Sequence, residues 1–168
     1  MDWLQYLFSG AIDSLLFFLP AITYNLTIYL YGMFVLKGDM IPLDNGMVWH
    51  SKPVIGPGRG VEGLYVAILI GSLWSIGLTN DAKPLCLTIG ANAGTIVSSF
   101  IKRRLGKPRG RDLFPLDNID FIIGASFLYT LQFPLPYHTI AFGLGFAGAG
   151  HLLINLLIRP LFERYVVR

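Results

Sequence analysis

Five apolar runs, near 11–36, 61–79, 84–101, 118–133 and 137–159, take up most of this 168-residue chain. Each is close to the ~20 residues a helix needs to cross the hydrocarbon of a bilayer. Backbone in hydrocarbon must satisfy its own hydrogen bonds, so runs of this length point to a bundle of helices. The expected fold is an all-α integral membrane protein with five transmembrane helices, forming a single domain over 1–168. The fourth run is the shortest and needs to lie nearly upright, or to begin at Asp117 itself. Pro20 and Asn25 predict a kink in the first. Charged residues make up only 14%, against about 25% in a soluble domain, and no nucleic-acid partner is expected. Trp3, Trp49 and Trp74 read as interfacial or packing aromatics. The lone Cys86 excludes an internal disulfide and reads as a small buried hydrophobe.

The placement of the cations orients the chain. Lys37, Lys52 and Arg59 follow the first run. Lys102, Arg103, Arg104, Lys107, Arg109 and Arg111 follow the third, and Arg159, Arg164 and Arg168 the fifth. Only Lys83 lies on the other side. Twelve against one predicts an outside N-terminus and a cytoplasmic C-terminus in a multi-pass protein of the cell membrane. Asp2 and Asp13 replace a basic n-region, so no cleaved signal peptide is expected. The outer loops are minimal, whereas the two inner loops, about 37–60 and 102–116, are long. Long aperiodic segments tend to be functional, which puts the expected active site on the cytoplasmic side. No internal repeat is visible, which argues against an inverted-repeat transporter.

Several residues carry candidate chemistry. Asp117 and Asp120, at i and i+3 where the fourth run begins, suit either a helix start or a Mg2+ site completed by substrate phosphates. The neighbouring cations favour the second. Gly56, Gly58, Gly60 and Gly63 with Arg59 form a turn leading into the second run. It is either a plain turn or a cradle of backbone amides for an anion. Gly90 and Gly94 make a small-residue face for close helix approach. Asn92, Thr95 and Ser98 share a face and suit a polar wall below the site. Glu62 is either a partner of Arg59 or a further metal ligand. His151 and Asn155, at i and i+4, suit an interhelical hydrogen bond or contact with the lipid phosphate. Lys37 and His50 read as solvated.

Ser99-Phe-Ile-Lys102-Arg103 followed by Asp117-x-x-Asp120 resembles the signature of the CDP-diacylglycerol synthase family of membrane cytidylyltransferases. The fuller patterns are closer to its archaeal, CDP-archaeol synthase branch. These are Lys102-Arg-Arg-Leu-Gly106, Arg109-Gly110, Pro115-Leu-Asp-x-x-Asp-Phe121, Leu19-Pro-Ala21, Pro42-Leu-Asp44-x-Gly46 and His151-Leu-Leu-Ile-Asn155. The resemblance implies transfer of CMP from CTP to a phosphorylated isoprenoid-diether glycerol, 2,3-bis-O-geranylgeranyl-sn-glycerol 1-phosphate, with release of pyrophosphate. It implies Mg2+ and leaves K+ open beside it. Two departures stand out. Gly94-Thr95 replaces the family's usual Gly-Asp, and Glu62 stands where an Arg is usual. Glu62 is therefore the expected substitute for the missing carboxylate, completing a metal set with Asp117 and Asp120.

On this reading Lys102 acts with the aspartates. Asp44, Gly46, Gly56, Gly58, Arg59, Gly60, Asn92, Lys107, Arg109 and Arg111 contact CTP. Arg103, Ser98, His151 and Asn155 serve the lipid phosphate, and Arg104 touches anionic headgroups. The small faces of the third and fifth runs wall a groove for the lipid tails. CTP, the lipid acceptor and membrane lipids are the expected partners, and a homodimer is left open. The alternatives are a diacylglycerol-type synthase, a CTP-dependent polyprenol kinase and a small transporter with a cationic vestibule.

Overall fold

The computed structural model describes residues 3–34, 41–56, 59–108, 113–153 and 156. They form five helices: α1 (Trp3–Phe34), α2 (Val61–Trp74), α3 (Lys83–Arg104), α4 (Leu116–Thr130) and α5 (Tyr137–Leu153). A two-stranded hairpin, β1 (Val48–Trp49) and β2 (Lys52–Pro53), lies between α1 and α2. The sequence did not announce this hairpin. His50 and Ser51 turn it with φ of +49° and +59°, positive at both central positions as a tight hairpin turn requires.

Helix boundaries follow local chemistry. The last turn of α2 widens over Ser75–Thr79 and ends at Asn80 in the left-handed region, so the second run spans 61–79 as expected. Pro84 sits in the first turn of α3, where its missing N–H costs nothing. At the other end the Gly106 amide bonds to the Arg103 carbonyl and the Lys107 amide to that of Lys102. With Gly106 at φ +71°, this closes α3 as a Schellman motif. The first helix begins at Trp3 rather than near 11 and continues through Pro20. One exposed acid, Asp13, does not stop it.

α1 packs against all four other helices, while α2, α3, α4 and α5 follow one another around it. The closest crossing is α3 on α4. A Cβ on Gly94 would meet the Asp120 carbonyl, and one on Gly124 would lie 2.6 Å from Gly94 Cα. The small face of α3 is therefore spent on α4. Among the described residues α3 and α5 do not touch, so any space between them is bordered by α1 and α4, which both contact them.

Side chains are distributed inside out. Ile76, Leu73, Leu69, Phe127 and Tyr65 are exposed, whereas Asn92, Thr95, Ser98 and Asp120 are buried. Water does not tolerate so much contiguous apolar surface, and lipid does. Three helical stretches, 7–31, 61–79 and 83–104, are long and apolar enough to cross a membrane. The 15 residues of α4 reach only ~22 Å at 1.5 Å per residue, so the shortest run is shorter still than expected.

Candidate active site at the basic-loop end of the bundle

Along the bundle the interior changes character. Away from the long loops, Phe17 meets Phe18 and Tyr129 edge to face, each at 4.9 Å. Toward the loops the core becomes polar. α1 contributes Tyr24, α3 contributes Asn92, Thr95, Ser98, Ser99 and Lys102, and α4 contributes Asp117 and Asp120. The spacing on α3, close to one residue per turn, lines these groups up on the face turned to α1, α2 and α4.

Asp117 is the best-held group. Its Oδ1 accepts from Lys102 Nζ at 2.8 Å and from the Ser98 hydroxyl at 3.0 Å, and its Oδ2 accepts from the Leu113 amide at 2.7 Å. The Lys102 and Asp117 side chains are only 12% and 9% exposed, so the pair is largely out of solvent. Asp120, one turn on and 5% exposed, has less support. Its Oδ1 accepts the Phe121 amide at 2.7 Å, and Ser98 and the positive charge of Arg59 both favour its ionised form. Arg59 arrives from the loop before α2 and is fixed by donating Nε to the Ser99 hydroxyl at 3.0 Å. At the floor, the Tyr24 hydroxyl donates to Asn92 Oδ1 at 2.8 Å. Gly63 makes room for this pair, since a Cβ there would lie 3.1 Å from Asn92 Oδ1.

Asp44, Gly46 and Gly56, expected at the nucleotide, fasten the first loop to itself. Asp44 Oδ2 accepts the amides of Ile55 and Gly56 at 2.7 and 2.9 Å, and Oδ1 that of Gly46 at 3.1 Å. Burial pushes the Asp44 carboxyl up, but these amides outweigh it and hold the group below its ordinary value. Gly46 and Gly56 adopt φ of +77° and +84°, which a side chain would oppose. Gly60 caps α2 in extended conformation and pairs with Pro42.

Glu62, in the first turn of α2, keeps its Oε2 buried with no hydrogen-bond partner among the described residues. Its Oε1 accepts the Ile41 amide at 3.1 Å, tying the helix start to the loop. Among the described residues no three His, Cys, Asp or Glu gather into a metal-binding group. The Asp117–Asp120 pair alone still fits Mg2+, which commonly takes one or two carboxylates and completes its shell with phosphate oxygens and water.

Arg104 is also not free for headgroups. It donates to the carbonyls of Trp49 at 2.7 Å, Lys52 at 3.0 Å and Pro53. Its guanidinium lies 5.1 and 5.4 Å from the rings of Trp49 and Phe100. Arg103 donates to the Lys107 carbonyl at 2.7 Å and packs beside Gly56, while the Lys107 side chain is exposed. His151 is in the last turn of α5, which touches α1 and α4 among the described residues. Cys86 is half-buried near Gln132. Lys37, Gly58, Arg109, Arg111 and Asn155 lie outside the described residues. Sequence reasoning missed Tyr24 altogether. Its only signal is a single polar aromatic one turn beyond Pro20.

A family model described as CarS-like, CDP-archaeol synthase, matches residues 77–163, which include the Ser98–Lys102 turn and both aspartates. The chain belongs to the CDP-archaeol synthase family. Relatives bearing that name support this over a longer stretch. The one from Methanopyrus kandleri is 35% identical over 128 residues, covering 71% of this chain and 70% of the relative. That from Thermococcus kodakarensis is 33% identical over 139 residues, covering 75% and 74%. That from Saccharolobus solfataricus is 32% identical over 125 residues, covering 71% and 72%. A solved structure described as an intramembrane enzyme for archaeal membrane lipids biosynthesis matches with a TM-score of 0.71 at 27% identity. The match covers 86% of this chain and 94% of that one. The archaeal branch indicated by the motifs is thus the family found.

Proposed function

We propose that the protein transfers CMP from CTP to a phosphorylated isoprenoid-diether glycerol, giving CDP-archaeol and pyrophosphate. The observation that carries this is the convergence of Lys102, Arg59, Asp117 and Asp120 on one polar interior at the loop end of a membrane bundle. Such an interior suits a polyphosphate meeting a lipid headgroup. Family membership supports the reaction class.

A lipid phosphate oxygen forms a bond to the α-phosphorus of CTP, and the bond from that phosphorus to the bridging oxygen of pyrophosphate breaks. A phosphate monoester is already anionic at neutral pH, so no strong base is needed. The protein acts by positioning and charge neutralisation. Asp120 and Asp117 would hold Mg2+, which supplies charge neutralisation at the phosphates when bound. Lys102 bears on the phosphates from α3, and Asp117 fixes its ammonium there. Arg59, held by Ser99, brings a second cation from the first loop. Lys107, with Arg109 and Arg111, draws the triphosphate inward. Asn92, pinned through Oδ1 by Tyr24, keeps its amide N–H groups for an acceptor on the nucleotide. Ser98 and Arg103 face the lipid phosphate. K+ beside Mg2+ and a homodimer stay part of the same proposal. The cation asymmetry favours an outside N-terminus and a cytoplasmic site.

The test is pyrophosphate release by purified protein with Mg2+, each of four nucleoside triphosphates, and either isoprenoid-diether or diacyl glycerol phosphate. CTP-dependent release with the diether acceptor is expected. Release favouring the diacyl acceptor would move the protein to the other branch. CDP in place of pyrophosphate would make it a kinase.

A further inference from the structure

The hairpin carries more exposed apolar surface than a loop in water keeps. Met47, Val48 and Trp49, consecutive in sequence, are 64%, 61% and 51% exposed. The hairpin is not loose, however. Arg104 binds three of its carbonyls, and Lys52 Nζ in turn donates to the Arg104 carbonyl at 3.0 Å. The Trp49 ring lies parallel to Phe100, 14° between planes and 6.2 Å between centroids.

These contacts set its depth. Phe100 and Ile101 are the last apolar residues of α3, and Lys102, Arg103 and Arg104 follow them. Trp49 therefore lies level with the step from apolar to cationic on a membrane-spanning helix. Interfacial tryptophans concentrate at that depth, with an apolar ring body and a polar N–H. The hairpin also reaches the turn that follows α3, since Lys52 Nζ would lie 3.6 Å from a Cβ on Gly106, next to the exposed Leu105.

We propose that the hairpin segment Met47–Trp49 seats in the headgroup zone of an anionic leaflet, with Lys52 on the lipid phosphates. Two arguments choose lipid over a second copy of the chain. The patch continues the lipid-facing surface at the end of α3, and Lys52 beside it would repel an identical patch but attract anionic headgroups. Through Arg104 the seated hairpin fixes the first loop, and with it Arg59, relative to the membrane surface. The proposal does not depend on the reaction the protein catalyses.

The full chain carrying Trp3→Phe and Trp74→Phe, so that Trp49 is the sole tryptophan, is reconstituted in nanodiscs. The lipid is phosphatidylcholine with a minority of phosphatidylglycerol, brominated at shallow acyl positions. Trp49 should lose most of its emission to the brominated lipid and little to aqueous acrylamide. Strong acrylamide quenching with no bromine effect would place the Met47–Trp49 segment in water. Quenching by neither would mean that protein covers it, and either result overturns the proposal. Met47→Asp with Val48→Asp, both at exposed positions, should restore the emission. Omitting phosphatidylglycerol should weaken bromine quenching, and an unchanged signal would overturn the anionic part.

Discussion

The two aspartates of the site look alike in sequence and differ in their surroundings. Asp117 is committed to Lys102, Ser98 and the Leu113 amide, whereas Asp120 has fewer donors among the described residues. Asp117→Asn should therefore lose both activity and stability. Removing one partner of a pair this buried costs about 3–5 kcal/mol, which a thermal melt in detergent measures. Asp120→Asn should lose several kcal/mol of transition-state stabilisation while melting near the parent. An Asp120→Asn protein with full activity would take that residue out of the mechanism. Asp44 supports a pH prediction outside the membrane. Because its folded value is depressed, its contribution is present above the ordinary carboxylate value of about 3.9 and is lost as pH falls through the folded value. Hydrogen exchange at the Ile55 and Gly56 amides, which donate to Asp44, should stay slow down to about pH 4 and quicken only below it. Asp44→Asn should exchange quickly throughout. The sequence offered Asp117 and Asp120 as metal ligands and Asp44 as a nucleotide contact. Only their hydrogen-bond partners, which come from distant segments, separate a loop fastener from an ion-paired acid and a freer one.

At the scale of elements, apolar length located α2 to α5 to within a few residues at most of the described boundaries, because lipid burial is a local property of the chain. The Gly90–Gly94 face was legible as a packing surface, but its partner Gly124 was not, since nothing in sequence says which helix a small face meets. That crossing also positions the site, because Gly94 touches the backbone of Asp120 itself. Gly94→Ala should thus cost about 1–3 kcal/mol as overpacking and depress activity further by displacing Asp120. Gly148→Ala, whose Cβ would meet nothing within 4 Å, should be neutral within about 0.5 kcal/mol. Equal melting of the two variants would mean that the α3–α4 crossing is looser than described. The hairpin was invisible for the opposite reason. Its strands are two residues each, too short for alternation to register, and it is held by Arg104 from 51 residues away or more.

For the whole molecule, the open question is which way the bundle faces. At the short-turn end Lys83 is paired with Asp81 at 2.6 Å, so among the described residues that end carries almost no free positive charge. The loop end carries Lys52, Arg59, Lys102, Arg103, Arg104 and Lys107, and only Lys102 among them forms an ion pair within the described residues. Pairing therefore sharpens the asymmetry already present in the count. Lys and Arg resist translocation, so the loop end should stay cytoplasmic. In a Cys86→Ser background, a membrane-impermeant maleimide added to intact cells should label Gln132→Cys and spare Lys107→Cys. Inverted vesicles should give the reverse pattern. Labelling of Lys107→Cys from outside would invert the bundle and put the site on the face away from cytoplasmic CTP. The proposed reaction would then lose its nucleotide supply even with every residue of the site in place.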